Sequence, residues 1–220
     1  MGRCAINSWF INGKYLKYAC SVVYNYIHIP KTGGNWVNHY VGPQSPQMTL
    51  LGHRSQLQDY NNVVFTLRHP VDKFISGACY LHNIVNPDSE LDSNAIIRYY
   101  QSEFPIRTKM FFAQIILQPL SVNLGTLEEY KTNEHQVHQV IDFDYVTEGY
   151  ANLLNLERPI PEKQNVTKPY NKNIDAELTE WITEYLAEDF ELYEYIRSRP
   201  YYICLLYTSP SPRDLSTSRM

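Results

Sequence analysis

A run of strand-forming residues that leads directly into a glycine-rich turn and a short helix is the feature that most constrains this fold. Residues 21–29 are rich in β-branched and aromatic side chains and end at Pro30, a pattern that predicts a buried strand. Two glycines follow, and apolar side chains then recur at helical spacing at Trp36, Val37 and Tyr40. A strand, a tight turn and a helix in this order are typical of α/β domains with a parallel sheet.

The same order recurs in a second unit. Residues 63–67 predict a strand, and Pro70 suits the first turn of the helix that follows. The rest of the chain predicts one more strand over 137–143 and helices over 93–100, 108–117, 147–156 and 175–196, the last with Asp175 as its N-cap. This alternation predicts an α/β fold with a mainly parallel sheet.

The composition fits one globular domain and limits its partners. The chain has 220 residues, of which 44% are hydrophobic and 19% are charged, so we expect a single core. Its formal net charge is −4, so the chain has no excess of positive charge to attract a long phosphate backbone. We therefore do not expect duplex nucleic acid as a partner. The four cysteines form no CxxC pair, and we expect neither a disulfide scaffold nor a metal site.

The opening residues of the chain are too polar for the apolar core of an export signal. No run of apolar residues reaches the roughly 18 that a membrane-spanning helix needs, so we expect a soluble chain without a membrane span. We expect residues 1–203 to form the domain. This domain would be truncated if a terminus is missing from the sequence. Residues 204–220 are rich in Ser, Thr, Pro and Arg, and we expect them to be a non-native or disordered tail.

Residues 30–36, which join the first strand to its helix, have the composition of a phosphate-binding loop. The two glycines let the backbone turn tightly and bring its N–H groups against an anion, while Lys31 and Thr32 supply a cation and a hydroxyl. The order differs from Walker A, in which the lysine follows the last glycine. The alternative is a plain Gly-Gly connection with a solvated lysine.

A second anion site is predicted where the second strand ends. Arg68 closes this strand and Ser76 lies about two turns into the next helix, so both can face the carboxyl edge of the sheet, where α/β proteins bind ligands. Arg68 could make a bidentate hydrogen bond to a phosphate, and the Ser76 hydroxyl could donate to the same phosphate. The alternative is a surface arginine that precedes a helix, but two anion sites on two strand ends are seldom accidental.

Both motifs resemble those of the PAPS-dependent sulfotransferases. Residues 26–37, YIHIPKTGGNWV, are similar to the 5′-phosphosulfate loop of this family, and residues 65–76, FTLRHPVDKFIS, are similar to its 3′-phosphate motif, including the spacing from arginine to serine. The two motifs of this sequence resemble those of the heparan sulfate and carbohydrate sulfotransferases more than those of the phenol and steroid sulfotransferases. The resemblance extends loosely over residues 21–197 and implies a P-loop-like three-layer α/β/α fold.

This resemblance also implies an activity. A sulfotransferase moves a sulfuryl group from 3′-phosphoadenosine 5′-phosphosulfate (PAPS) to a hydroxyl or amine, and 3′,5′-diphosphoadenosine is the product. We expect the acceptor to be a glycan. We expect the chain as given to be cytoplasmic, with the Golgi lumen as the alternative if an N-terminal anchor is missing.

The resemblance further implies roles for particular residues. Lys31 would contact the oxygen that bridges the sulfate and the 5′-phosphate, which makes it catalytic as well as cofactor-binding. Arg68 and Ser76 would bind the 3′-phosphate. The 5′ end would be lined by Thr32, Gly33, Gly34 and Asn35, with Trp36 either at the cofactor or, as we favour, packed beneath the loop.

The acceptor must lose a proton, and histidine is the side chain best suited to take it near neutral pH. His53 lies between the two motifs, and its Gly-His sequence resembles the place where heparan-type sulfotransferases keep their base. The alternative for His53 is a structural role in its loop. His28 and His69 could be merely structural, while His82 and a carboxylate from an acceptor loop remain competitors.

Two other functions compete with the sulfotransferase. A nucleotide-dependent kinase would use the same type of fold, but the lysine precedes the glycines and no aspartate at a strand end is evident for Mg²⁺. A non-catalytic nucleotide or glycan-binding module would keep the loops without turnover. Comparative binding of 3′,5′-diphosphoadenosine and ATP separates these possibilities.

Overall fold

The structure is a computed structural model, and it describes residues 8–11, 14–17, 22–87, 92–107, 111–155 and 173–203. The tail predicted over 204–220 lies outside the described residues, as do the start of the helix predicted over 108–117 and the last residue of that predicted over 147–156.

Seven strands form two sheets in the described residues. The strands are β1 (Ser8–Ile11), β2 (Lys14–Lys17), β3 (Tyr24–Ile27), β4 (Met48–Leu51), β5 (Val63–Leu67), β6 (Val137–Asp142) and β7 (Tyr202–Ile203). β1 and β2 pair with each other as an antiparallel ladder. The other five form one sheet in the order β4-β3-β5-β6-β7, and every neighbouring pair in it is parallel.

The connections between the parallel strands are mostly helical. The α-helices are α1 (Gly34–Trp36), α2 (Pro70–Val85), α3 (Ser93–Arg107), α4 (Phe111–Ile116), α5 (Ser121–Leu124), α6 (Leu127–Asn133), α7 (Val146–Leu154), α8 (Ala176–Tyr185) and α9 (Ala187–Arg197). α1 continues directly as a π-helical turn over Val37–Val41.

The sheet is covered on both faces because its side chains alternate between them. On one face, Phe65 and Val140 pack in a cluster with residues of α5, α6 and α9. On the other, Val64 and Ile141 pack with residues of α1 and α7. A further buried cluster joins α2, α3 and α8. The three-layer α/β arrangement with a parallel sheet is therefore confirmed.

The strand order places a crevice at one point of the sheet. From β3 the chain crosses to β4 on one side and then to β5 on the other, so the parallel strands follow the order 2-1-3-4-5. The connections that leave β3 and β5 therefore diverge at their carboxyl ends, and doubly wound sheets bind ligands in the crevice formed there. The loop with Lys31 follows β3, and Arg68 follows β5.

Several predicted elements differ in their bounds. β5 has the predicted residues, but β3 is shorter than the predicted 21–29 strand. The single helix predicted over 175–196 is wrong, since α8 ends at Tyr185 and Leu186 leaves helical geometry. The break has a physical reason: α8 packs into the cluster of α2 and α3, whereas α9 packs into the cluster beneath the sheet, and one straight helix cannot face both.

No helix within the described ranges is at once long enough and apolar enough to cross a membrane.

Candidate functional site

The loop after β3 has an unusual backbone. Lys31 has φ of 63° and Gly33 has φ of 87°, so both adopt the left-handed region. Glycine enters this region freely, but a lysine there is uncommon and is held by its surroundings. One such restraint is the buried Thr32, whose hydroxyl donates to the Ile29 carbonyl at 2.8 Å. The loop is thus fixed in a tight turn, as the sequence predicted.

Both glycines of the loop lie against other side chains. A Cβ on Gly34 would lie 1.8 Å from the His28 ring, and one on Gly33 would lie 3.3 Å from the ring of Phe143. The imidazole of His28 therefore fills the space that a side chain at position 34 would need. The Gly-Gly pair is required by this close approach as well as by the turn.

The Lys31 side chain reaches back over α2. Its Nζ atom lies 4.0 Å from the centre of the Tyr80 ring, a cation–π contact. Burial, and then the charge of Arg68, lowers the pKa of Lys31 to about 8. No salt bridge joins Lys31 to a carboxylate in the described part of the chain. Its charge is therefore available to a bound anion.

Arg68 joins three strand ends. Its Nη1 atom donates to the Lys31 carbonyl at 3.0 Å, and its guanidinium lies 4.3 Å from the centre of the Phe143 ring. Lys31 follows β3, Arg68 follows β5 and Phe143 follows β6, so the contact ties the two predicted anion motifs into one site. Lys31 and Arg68 thus lie together at the carboxyl edge of the sheet.

The other cofactor-binding residues predicted from the motifs differ in exposure. Asn35 is exposed and Thr32 is fully buried. Trp36 is buried and packs with Tyr40 and Tyr150, in agreement with packing beneath the loop. Ser76 is only 5% exposed, so it is more enclosed than Arg68, with which it was predicted to share a phosphate.

His53 lies beside the loop that carries Lys31. Its Nδ1 atom is 3.1 Å from the His28 carbonyl oxygen, and the two imidazole rings are 4.0 Å apart between centroids. Burial, and then the charge of His53, lowers the pKa of His28 to about 3. His28 is therefore neutral at physiological pH, and it packs against Gly34 as a structural residue.

His69, which could be merely structural, and His82, the competing base, have other surroundings. His69 is exposed and meets the rings of Phe190 and Tyr193 edge-on. His82 lines a cavity of about 310 Å³ between α2 and α3, together with Leu81, Val85, Asn86, Tyr99 and Tyr100.

Sequence reasoning missed four residues of this site. Phe143 and Tyr80 hold the two cations, and Gln118 and Asn123 hold the backbone of His53. Phe143 had one readable signal, since it is the last residue of the strand predicted over 137–143. The other three carry none, because their roles depend on how distant segments pack.

Comparison with family models, with curated proteins and with solved structures gave no match to this chain. No group of three or more His, Cys, Asp or Glu side chains that could hold a metal ion occurs among the residues that the structure describes. The geometry alone therefore defines the site: two cations, a tight glycine turn and a histidine at the carboxyl edge of a parallel sheet. Such a site is suited to a ligand with more than one anionic group.

Proposed function

We propose that this protein is a PAPS-dependent sulfotransferase that transfers a sulfuryl group to a hydroxyl or amine acceptor, and that the acceptor is a carbohydrate. The observation that carries the proposal is the hydrogen bond from Arg68 to the Lys31 carbonyl at the crevice between β3 and β5. It brings the residues that resemble the two phosphate motifs of the family into one site.

The residues present fit a ligand of this charge. PAPS carries a phosphosulfate at one end and a phosphate at the other, and each anion needs a cation or a set of N–H donors. Lys31 and Arg68 supply two cations whose mutual repulsion helps to lower the pKa of Lys31. A polyanion between them would offset that repulsion. The turn of Thr32, Gly33, Gly34 and Asn35 would bind the 5′ end through its backbone N–H groups, because the buried Thr32 hydroxyl already donates to the Ile29 carbonyl. Arg68 with Ser76 would bind the 3′-phosphate.

The chemistry follows from these positions. The acceptor oxygen or nitrogen forms a bond to sulfur while the imidazole of His53 accepts its proton. The bond between sulfur and the oxygen of the 5′-phosphate breaks, and its electron pair stays on that oxygen in 3′,5′-diphosphoadenosine. Lys31 balances the charge that grows there, so its main effect is on the transition state.

A transfer assay tests this function. Purified protein is incubated with PAPS carrying radiolabelled sulfate and a panel of glycans with free hydroxyls and amines. We expect label on at least one glycan, and we expect Lys31→Ala to lower the transfer rate much more than it weakens binding of 3′,5′-diphosphoadenosine. Tighter binding of ATP with Mg²⁺ than of this product would favour the kinase instead. Binding of the product without transfer to any acceptor would favour the non-catalytic module.

A further inference from the structure

Two buried amide side chains lie directly beneath the loop of His53. Asn123 is fully buried and Gln118 is 7% exposed. Gln118 Nε2 donates to the His53 carbonyl at 3.0 Å and to Asn123 Oδ1 at 2.7 Å. Asn123 Nδ2 donates to the same carbonyl at 2.9 Å and to the Ser55 carbonyl at 2.8 Å. All four amide hydrogens are used, which also fixes the orientation of both amides.

The segment that carries these amides is itself anchored on two sides. The buried Lys73 of α2 donates to the backbone carbonyl of Gln118. The buried Asp189 of α9 accepts from the Leu120 backbone N–H, at 2.8 Å and 2.9 Å to its two oxygens. The opposite charges of Lys73 and Asp189 also attract each other, since each shifts the pKa of the other toward its charged form. The amides therefore have little freedom to move.

The ring of His53 is restrained from the other side. Its Nδ1 atom faces the His28 carbonyl at 3.1 Å, and a carbonyl oxygen only accepts hydrogen bonds. Nδ1 must therefore carry the proton when the ring is neutral, which leaves the lone pair on Nε2. A general base needs this free lone pair, so the His28 contact sets the tautomer that the proposed mechanism requires.

We propose that Gln118 and Asn123 are positioning residues for His53: they hold its backbone so that Nδ1 stays on the His28 carbonyl and Nε2 stays available as the base. The part of this proposal that makes His53 the base rests on the proposed function. The tautomer does not, because it follows from hydrogen bonds within the protein. Without the amides, the backbone of this loop relaxes, the Nδ1 contact lengthens and the neutral ring reverts toward the Nε2-protonated form that free imidazoles favour.

The matched variants are Asn123→Ala, Gln118→Met and, as a control, Gln139→Met. Gln118→Met removes the side-chain donor but keeps the backbone carbonyl that Lys73 uses, so it guards against a failure of Asn123→Ala to fold. Gln139 is also buried, and its amide nitrogen has no hydrogen-bond partner among the described residues. The control therefore removes a buried amide that does not contact His53.

The test reads the tautomer of His53 by NMR with ¹⁵N-labelled histidine at about pH 8, where an ordinary imidazole is neutral. His135 serves as an internal reference, because it is exposed and its Nδ1 lies 3.1 Å from the Thr132 carbonyl. We expect wild type and Gln139→Met to show His53 protonated on Nδ1. We expect the other two variants to shift toward the Nε2-protonated form while His135 is unchanged. An unchanged His53 tautomer in both variants would overturn the proposal.

Kinetics of the same proteins separate this inference from the proposed function. We expect kcat to fall on the order of 100-fold in Gln118→Met, with KM for PAPS and affinity for 3′,5′-diphosphoadenosine nearly unchanged, because only the base is displaced. An unchanged kcat with a shifted tautomer would overturn the catalytic role. A shifted tautomer in a protein that does not bind 3′,5′-diphosphoadenosine would support the positioning while refuting the sulfotransferase.

Discussion

At the scale of single residues, two cations account for the chemistry of the site. Lys31 has a strained backbone, a half-buried side chain and a pKa lowered to about 8, and Arg68 contributes to that lowering. Burial is the larger cause of the lowered pKa of Lys31, and the like charge of Arg68 adds to it. Both residues should therefore respond measurably when an anion binds.

Binding of 3′,5′-diphosphoadenosine should raise the pKa of Lys31, because its phosphates favour the charged ammonium. Since that pKa is about 8 in the free protein, binding near pH 8 should take up a fraction of a proton, whereas binding at about pH 6 should take up almost none. Calorimetry in buffers of different ionisation enthalpy measures this uptake. Lys31→Met should lose it, and a wild type that binds without uptake near pH 8 would contradict the assignment.

Arg68→Ala should weaken binding of 3′,5′-diphosphoadenosine about tenfold or more, since a charge-assisted hydrogen bond contributes roughly 1.5–3 kcal/mol. The loss should be much smaller for 5′-adenosine monophosphate, which lacks the 3′-phosphate. Equal losses for the two nucleotides would mean that Arg68 acts only through the Lys31 carbonyl and does not contact the 3′-phosphate. Arg68→Lys keeps the charge but loses the planar fork, so it separates charge from geometry.

At the scale of elements, the approach of the β3 loop to α1 decides whether the site forms. Gly34→Ala would place a Cβ within 1.8 Å of the His28 ring, so the ring or the backbone must move. We expect the free energy of unfolding to fall by about 1–3 kcal/mol, as for other overpacked sites. Urea denaturation measures it.

Gly52→Ala is the matched control for this change. A Cβ on Gly52 would meet nothing within 4 Å, and the φ angle of Gly52 does not lie in the left-handed region. Its stability should stay within about 0.5 kcal/mol of the wild type. A Gly34→Ala protein as stable as Gly52→Ala would show that His28 does not occupy the position we describe.

Sequence patterns captured the elements that have local signals. β5 and the start of α2 at Pro70 are as predicted, because a fully buried strand and a proline at the first helical turn are both legible locally. β4 was not predicted, since Thr49 and Leu50 are exposed on this edge strand and break the apolar run. The residues of the site likewise divide into those with a local sequence signal and those without one. Lys31 and Arg68 follow legible strands, whereas Gln118 and Asn123 gain their role only by packing against a distant loop.

At the scale of the whole molecule, the buried His28 links stability to pH. Its pKa is about 3 in the folded protein against an ordinary value near 6.5 when unfolded, so between these values only the unfolded chain holds the proton. Stability should therefore be complete above about pH 6.5 and should fall as the pH drops toward 3, by roughly 4 kcal/mol over the whole window.

His28→Gln isolates this effect, because the carboxyl groups that titrate below about pH 5 remain in both proteins. The difference in free energy of unfolding between wild type and variant should shrink steadily as the pH falls from 6.5. A difference that stays constant over this window would contradict the burial of a neutral His28.

The central claim is that the crevice between β3 and β5 binds a nucleotide with a phosphate at each end. The most direct test is calorimetric titration of the wild-type protein with 3′,5′-diphosphoadenosine, 5′-adenosine monophosphate and ATP with Mg²⁺ under identical conditions. We predict that 3′,5′-diphosphoadenosine binds at least about tenfold more tightly than either of the others, because Arg68 and Lys31 each meet a phosphate. Equal affinity for the two adenosine phosphates, or tighter binding of ATP with Mg²⁺, would contradict the claim.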